Sequence, residues 1–306
     1  MNGYEPMKAV LWDEPFSDPS WIYERKLDGI RCLAHRDGGG AAKLFSRTDR
    51  GMDGDYPGVV EALSVERCRD FVVDGEVVAF DSRGVTSFQR LQRRGHERVA
   101  IFLYVFDVLR LDGEDVRELP LRERKARLRR SLDFHGPVRY TPHRNEVGEE
   151  MYRQACQKGL EGIIAKRADS PYRATRSSDW RKLKCHAEQE LVIGGYTAPQ
   201  GSRTDFGALL VGYWEDGKLR YAGKVGTGFD HRLLQDLGKR LRDLERDEPP
   251  FDAVHPIPRG THWVEPELVG QIGFTEWTRD GRLRHPRFLG LRDDKPARDV
   301  VREVPS

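Results

Sequence analysis

Cysteine is scarce in this 306-residue chain, and the four that occur, Cys32, Cys68, Cys156 and Cys185, stand singly. There is no Cys-x-x-Cys pair and no Cys/His spacing that would cage zinc, so the four are expected to be isolated reduced thiols. The nine histidines are dispersed as well, and support neither a metal cluster nor a Ser-His-Asp arrangement. Long apolar runs are missing: no stretch approaches the ~20 apolar residues of a membrane span. Residues 1–10, with Glu5 among polar neighbours, show no signal-peptide core, and the expectation is a cytoplasmic protein with no membrane partner. A charge excess of one sign is absent too. The 52 Lys+Arg against 50 Asp+Glu leave +2, so any nucleic-acid site must come from local clustering.

What is present is a hydrophobic content of 38% beside a charged content of 33%, as in a globular chain with a heavily charged surface. The length suffices for two separate cores. Short apolar runs bounded by turn residues recur at 71–73, 77–80, 101–109 and 162–165, and read as strands, several buried on both faces. Helices are expected at 121–132 and at 149–158, the latter stopped by Gly159. The class is α+β.

After Lys184 the texture changes. A strand at 190–196 precedes a hairpin, 208–214 and 218–225, whose Asp216-Gly217 supplies the positive φ of a tight turn. A helix is expected over 231–246, ended by Pro249-Pro250, then strands at 260–264, 268–278 and 282–288. Short strands with one helix suggest a small β-barrel of the OB type. The expected domains are 1–187 and 188–306.

The chemistry starts at Glu24-Arg25-Lys26-Leu27-Asp28-Gly29-Ile30-Arg31, which contains Lys-x-Asp-Gly-x-Arg. This is the signature of enzymes that carry a nucleotide on a lysine nitrogen. Four fixed letters recur by chance in about one chain of this length in a few hundred, so the downstream residues decide its weight. A nucleophilic lysine must be neutral, yet an ordinary lysine with pKa near ~10.4 is neutral in about one molecule in a few thousand at pH 7. Lys182 and Lys184 alternate along an expected strand and so share one face. There they could depress the pKa of Lys26 and hold phosphate oxygens. Alone, such a pair is a solvated strand face.

Two acids stand where a hard cation would need them: Glu76 in Asp74-Gly75-Glu76 and Glu161 before Gly162. Magnesium prefers one or two carboxylates plus substrate phosphates. Phe106 ends an apolar run and reads as core unless the larger pattern makes it a stacking platform. Arg47, in Ser46-Arg47-Thr48, suits a terminal phosphate. Arg292 and Lys295, in Arg292-Asp293-Asp294-Lys295, could close over a site and grip β- and γ-phosphates. The basic run Arg122, Arg124, Lys125, Arg127, Arg129, Arg130 is not confined to one helix face and is expected to be a solvated surface.

This ordered set resembles an ATP-dependent DNA ligase along essentially the whole chain. More narrowly, residues 13–16, 193–196, 201–203, 206–210 and 221–228 are similar to the ligase module of bacterial end-joining ligases, here expected as a stand-alone core. The resemblance implies a nucleotidyltransferase (adenylation) domain with antiparallel sheets and helices, followed by an OB-fold domain. It implies ATP, carried as AMP on Lys26, and Mg2+ or Mn2+ as cofactors. By motif, Glu24 would approach the adenine edge, Phe106 its face, and Arg31 and Glu76 the ribose. Arg25 and Lys166 would join the nucleotide site. Glu161, with Glu76, would support the metal, Lys182 and Lys184 the α-phosphate, and Arg47 the nick 5′-phosphate. Arg176 would join the nucleotide site too, although Ala174-Thr175 replaces the usual Gly-Lys before it. The implied partner is nicked duplex DNA, bound by a monomer, with a Ku-type end-binding protein or separate polymerase and nuclease modules left open. RNA ligases and mRNA capping guanylyltransferases share the lysine motif and form the rival reading; a non-catalytic OB-containing DNA-binding protein is a remote one.

Overall fold

The computed structural model describes residues 3–95, 98–199, 201, 204–254 and 256–305. They divide into two compact units, residues up to 185 together with the final residues from 304, and 186–303. No helix among the described residues is long and apolar enough to cross a membrane.

In the first unit, one sheet has the order Lys8–Leu11, Arg176–Lys184, Gly162–Arg167, Trp21–Arg25, Arg144–Asn145. A second runs Lys43–Ser46, Ile30–Arg36, Phe71–Ala79, Ile101–Leu111, Glu114–Asp115, with Val138–Tyr140 also on Ile101–Leu111. Pairing is antiparallel except at Lys8–Leu11 with Arg176–Lys184 and at Val138–Tyr140 with Ile101–Leu111. Asp74-Gly75-Glu76 does not divide the apolar segment in two, because Phe71–Ala79 is one continuous strand. A bulge follows from this: Asp74 faces Asp107 while Gly75 faces Val105, which leaves Phe106 unmatched. A bulged residue is re-aimed. Phe106 accordingly packs with Met7, Val72, Leu109, Tyr172 and Trp180 instead of joining the larger core formed by Cys32, Val73, Val77 and Val105.

The period of two sorts the first sheet into two faces. Tyr23, Ile163, Ala165 and Leu183 point to one side, where they pack with Met151 and Ala155 of the helix Gly148–Gln157. Glu24, Ile164 and Lys182 sit opposite one another in register, as do Ile22, Lys166 and Trp180, so these line the other side. The helix–sheet packing overturns one expectation about sulfur. Cys156 on that helix and Cys185 just past the strand end lie 29 residues apart but with Cα atoms 5.1 Å apart, and form a disulfide. Cys32 and Cys68 are free and buried.

The basic helix, Leu121–Ser131, brings a second correction. Arg124 and Lys125 are buried, not solvated. Arg124 makes a paired contact with Asp107, Nε to Oδ1 and Nη2 to Oδ2, both 2.8 Å. Burial of charge on this scale requires such pairing.

In the second unit, Glu188–Thr197 lies between Leu209–Glu215 and Val269–Gly273, and Leu209–Glu215 pairs in turn with Lys218–Val225. Arg287–Leu291 joins Val269–Gly273. The Phe288 amide then donates to the Thr227 carbonyl (2.9 Å), just beyond Lys218–Val225, and the curled sheet closes. This curled, partly closed sheet is the arrangement of an OB barrel. The hairpin turn has φ 50° at Asp216 and 73° at Gly217. The helix spans His231–Asp243 and stops before the proline pair, because Glu245–Arg246 pairs with 263–264 as a short strand. The last strand is Arg287–Leu291 rather than 282–288.

Candidate active site

Lys26 follows the strand Trp21–Arg25, and its amide donates to the Gly162 carbonyl (3.0 Å), so that strand pairing continues to the lysine itself. Its Nζ forms an ion pair with Glu161 Oε1. Lys184 lies opposite Gly162 on the far side of the same strand, and Lys182 lies opposite Ile164. Three neighbouring strands therefore bring Lys26, Glu161 and Lys184 to one end of the sheet. Gly162 is indispensable there: its φ is 146°, and a Cβ would meet the Leu183 carbonyl oxygen at 2.0 Å.

Beside this row lies a buried ionic cluster. Glu24 is 2% exposed, with Lys166 Nζ 2.6 Å from one oxygen and Lys125 Nζ on the other. Burial pushes the Glu24 carboxyl up, but Lys125 and Lys166 outweigh it and hold it below the usual carboxylate range. Burial depresses Lys166, to about 8, against the opposing pull of Glu24. Lys166 Nζ also lies 4.1 Å from the Phe106 ring centre and 4.0 Å from that of Trp180. Arg31 covers the Phe106 ring at 4.7 Å and is held by Asp74, Nη2 to Oδ2 2.6 Å, and by the Met7 carbonyl, 3.0 Å. Glu76 is directly across from Arg31 in register. Glu24, Lys166, Phe106, Arg31 and Glu76 thus belong to one region where the two sheets face each other. Thr141 Oγ1 and Trp180 Nε1 are buried in it with no protein hydrogen-bond partner.

The depressed Lys166 has a consequence for stability. Between about pH 8 and the ordinary lysine value of 10.5, the unfolded chain binds more protons at this position than the folded one, so its cost to folding falls as pH rises. Urea unfolding at pH 8 and pH 10 should show a gain in wild-type stability that Lys166→Met diminishes. An equal gain in both proteins would contradict this account.

The remaining expected residues are spread more widely. Arg25 ends its strand exposed. Arg47 is half-buried in the turn after Lys43–Ser46. Arg176 is exposed and donates to the Ala9 carbonyl (2.8 Å), fastening the sheet edge. Arg292 and Lys295 belong to the second unit, where Lys295 Nζ is 3.0 Å from Glu190 Oε2 and Arg292 Nε is 2.9 Å from Asp294 Oδ1. Ser202 and Arg203 lie outside the described residues. Lys125 joins the buried cluster around Glu24, a place that its sequence context conceals. The available signal is its spacing, four residues after Leu121 and three before Leu128, which puts it on the buried face of a helix otherwise rich in arginine. Among the described residues no group of three or more His, Cys, Asp or Glu side chains forms a metal cage.

The family model of the ATP dependent DNA ligase domain matches residues 6–184, and that of the ATP dependent DNA ligase C terminal region matches 202–295. This chain belongs to the ATP-dependent DNA ligase family. It is 40% identical to the multifunctional non-homologous end joining protein LigD of Pseudomonas aeruginosa, over 98% of this chain and 37% of that protein. It is 34% identical to a DNA ligase of Natronomonas pharaonis, over 90% of this chain and 52% of the other. The chain therefore spans between about a third and a half of these relatives. Among solved structures, a mycobacterial DNA ligase D complexed with ATP and MES matches with TM-score 0.71 and 35% identity, covering 98% of each chain. The ligase domain of Mycobacterium tuberculosis LigD matches with TM-score 0.53 at the same identity and coverage. As a member of this family the chain has the α+β and OB-barrel architecture of these ligases.

Proposed function

We propose that the protein seals 5′-phosphate/3′-hydroxyl nicks in duplex DNA through AMP carried on Lys26. The observation that carries this is the row Lys26, Glu161 and Lys184 at one end of a sheet whose same face buries Glu24 and Lys166. Lys26 Nζ attacks the α-phosphorus of ATP, and pyrophosphate leaves in line. Lys182 and Lys184 hold the α-phosphate oxygens while negative charge builds on them. Glu24 and Phe106 receive the adenine, edge and face, with Lys166 beside them, while Arg25, whose side chain alternates to the other face of the strand, would join the nucleotide site through its backbone. The buried Thr141 hydroxyl and Trp180 indole N–H supply polar groups that a ligand would satisfy. Arg31 and Glu76 face the ribose, Arg176 flanks the nucleotide, and Arg47 meets the 5′-phosphate to which AMP passes. The 3′-hydroxyl then expels AMP.

Glu161, with Glu76, would hold Mg2+ or Mn2+ together with nucleotide phosphates, and the ion would neutralise charge on their oxygens. Residues 1–187 form the adenylation domain in this reading and 188–306 the OB domain. The similarity to end-joining proteins extends the reading to double-strand breaks, in the cytoplasm at the nucleoid. There a Ku-type end-binding protein and polymerase or nuclease modules would act beside a monomeric ligase.

The test is incubation with labelled ATP, GTP or NAD, followed by nicked DNA or nicked RNA duplexes. Label from ATP alone and sealing of DNA support the proposal; label from GTP or NAD instead of ATP, or sealing of RNA alone, would sink it. A finer expectation concerns Arg292, which in this reading would grip β- and γ-phosphates together with Lys295. Arg292→Ala should reduce self-adenylation about a hundredfold while sparing a nick that already carries AMP. Equal loss of both activities would remove this role.

A further inference from the structure

Two half-buried cysteines meet where the chain leaves the first unit. Cys185 directly follows Lys184 and is the last residue before the second unit begins at His186. Cys156 lies on the helix Gly148–Gln157 that packs on the back of the same sheet. The two are bonded to each other. The surroundings of Cys185 tie it to the active-site row: its amide donates to the Glu161 carbonyl (2.9 Å), and Tyr152 of the same helix donates through its hydroxyl to the Lys184 carbonyl (3.1 Å). Cys32 and Cys68, by contrast, are buried, and burial pushes both thiols up, away from the reactive thiolate form.

We propose that Cys156 and Cys185 form a reversible disulfide that positions Lys184 and Glu161 and stiffens the exit of the chain from the first unit, so that thiol oxidation raises the rate of self-adenylation. The link to activity rests on the function proposed above; the link itself does not. Oxidation by a small disulfide such as oxidised glutathione balances as an exchange. The thiolate of one cysteine attacks a sulfur of the small disulfide and expels one small thiolate. The second cysteine, losing its proton, then attacks the protein sulfur of that mixed disulfide, forms the internal S–S bond and releases the second small thiol. Two protein thiols are oxidised and one small disulfide is reduced to two thiols. Reduction by a dithiol runs the same steps backwards. Cys185 is a positioning residue here, since it acts through the backbone of Lys184 and Glu161.

The experiment treats the full chain with oxidised glutathione or with dithiothreitol and reads alkylation by mass spectrometry, melting temperature, and the rate of labelling by α-labelled ATP at 20 °C. The oxidised protein should resist alkylation at Cys156 and Cys185. Its melting temperature should be roughly 5–10 °C above that of the reduced form, because the bond closes a loop 29 residues long. Reduction should slow labelling about threefold or more, and re-oxidation should restore it. Cys156→Ser should match the reduced enzyme under both treatments. Alkylation of both cysteines after glutathione treatment would overturn the disulfide, and equal labelling rates in the two states would overturn the positioning role. If neither state takes label, the proposed function fails instead, and alkylation with melting temperature alone decides the disulfide.

Discussion

Lys26→Ala should lower labelling of the protein by α-labelled ATP and magnesium about a thousandfold or more, because it removes the amine proposed to take the nucleotide. Sealing of a nick already bearing AMP on its 5′-phosphate should persist, since that step uses the positioned phosphates and not the amine. The Lys26 amide is fastened to Gly162, and its Nζ is paired with Glu161 at the end of a strand that also carries buried Glu24. Lys26→Arg keeps the cation and should fail equally, as a guanidinium stays protonated at any pH the protein tolerates. Full labelling of either variant would place the nucleophile elsewhere.

The largest effect on stability is expected at Glu24. Its carboxylate is the shared partner of Lys125 and Lys166, all three 2% exposed or less. Glu24→Ala leaves two buried ammonium groups facing each other, and breaking a buried pair in this way costs about 3–5 kcal/mol. Urea unfolding should report that loss. Glu24→Leu combined with Lys125→Met should recover part of it, because apolar replacement of a buried ion pair is close to neutral. A loss under about 1 kcal/mol for Glu24→Ala would mean that water or structural relaxation compensates the lysines.

Much of the candidate site is legible in the order of the amino acids. The Lys26 motif, the alternation of Lys182 and Lys184, and the acids Glu76 and Glu161 are all local patterns. The Lys182/Lys184 alternation needs only the period of a strand, and the turn Asp216-Gly217 only the positive φ found at both residues. Other parts are illegible for a definite reason. Asp74-Gly75-Glu76 looks like an interruption, yet the strand continues because Gly75 lets the neighbouring backbone approach, with the Tyr104 carbonyl 2.7 Å from where a Cβ would stand. The bulge at Phe106, which aims its ring at Trp180 and Lys166, depends on how Phe71–Ala79 and Ile101–Leu111 register across about thirty residues of sequence.

From order and spacing alone came the family, the expectation that Lys26 carries the chemistry, and the change in texture after Lys184, because each rests on residues a few positions apart and on the fixed periods of strand and turn. Only the tertiary structure decided that Lys125 is buried against Glu24, 101 residues away, that Arg124 is matched to Asp107, and that Cys156 and Cys185 are bonded. Partner choice over such separations is set by how one sheet packs on a helix or on another sheet, and no local pattern encodes the distance between two side chains that meet only after that packing is complete.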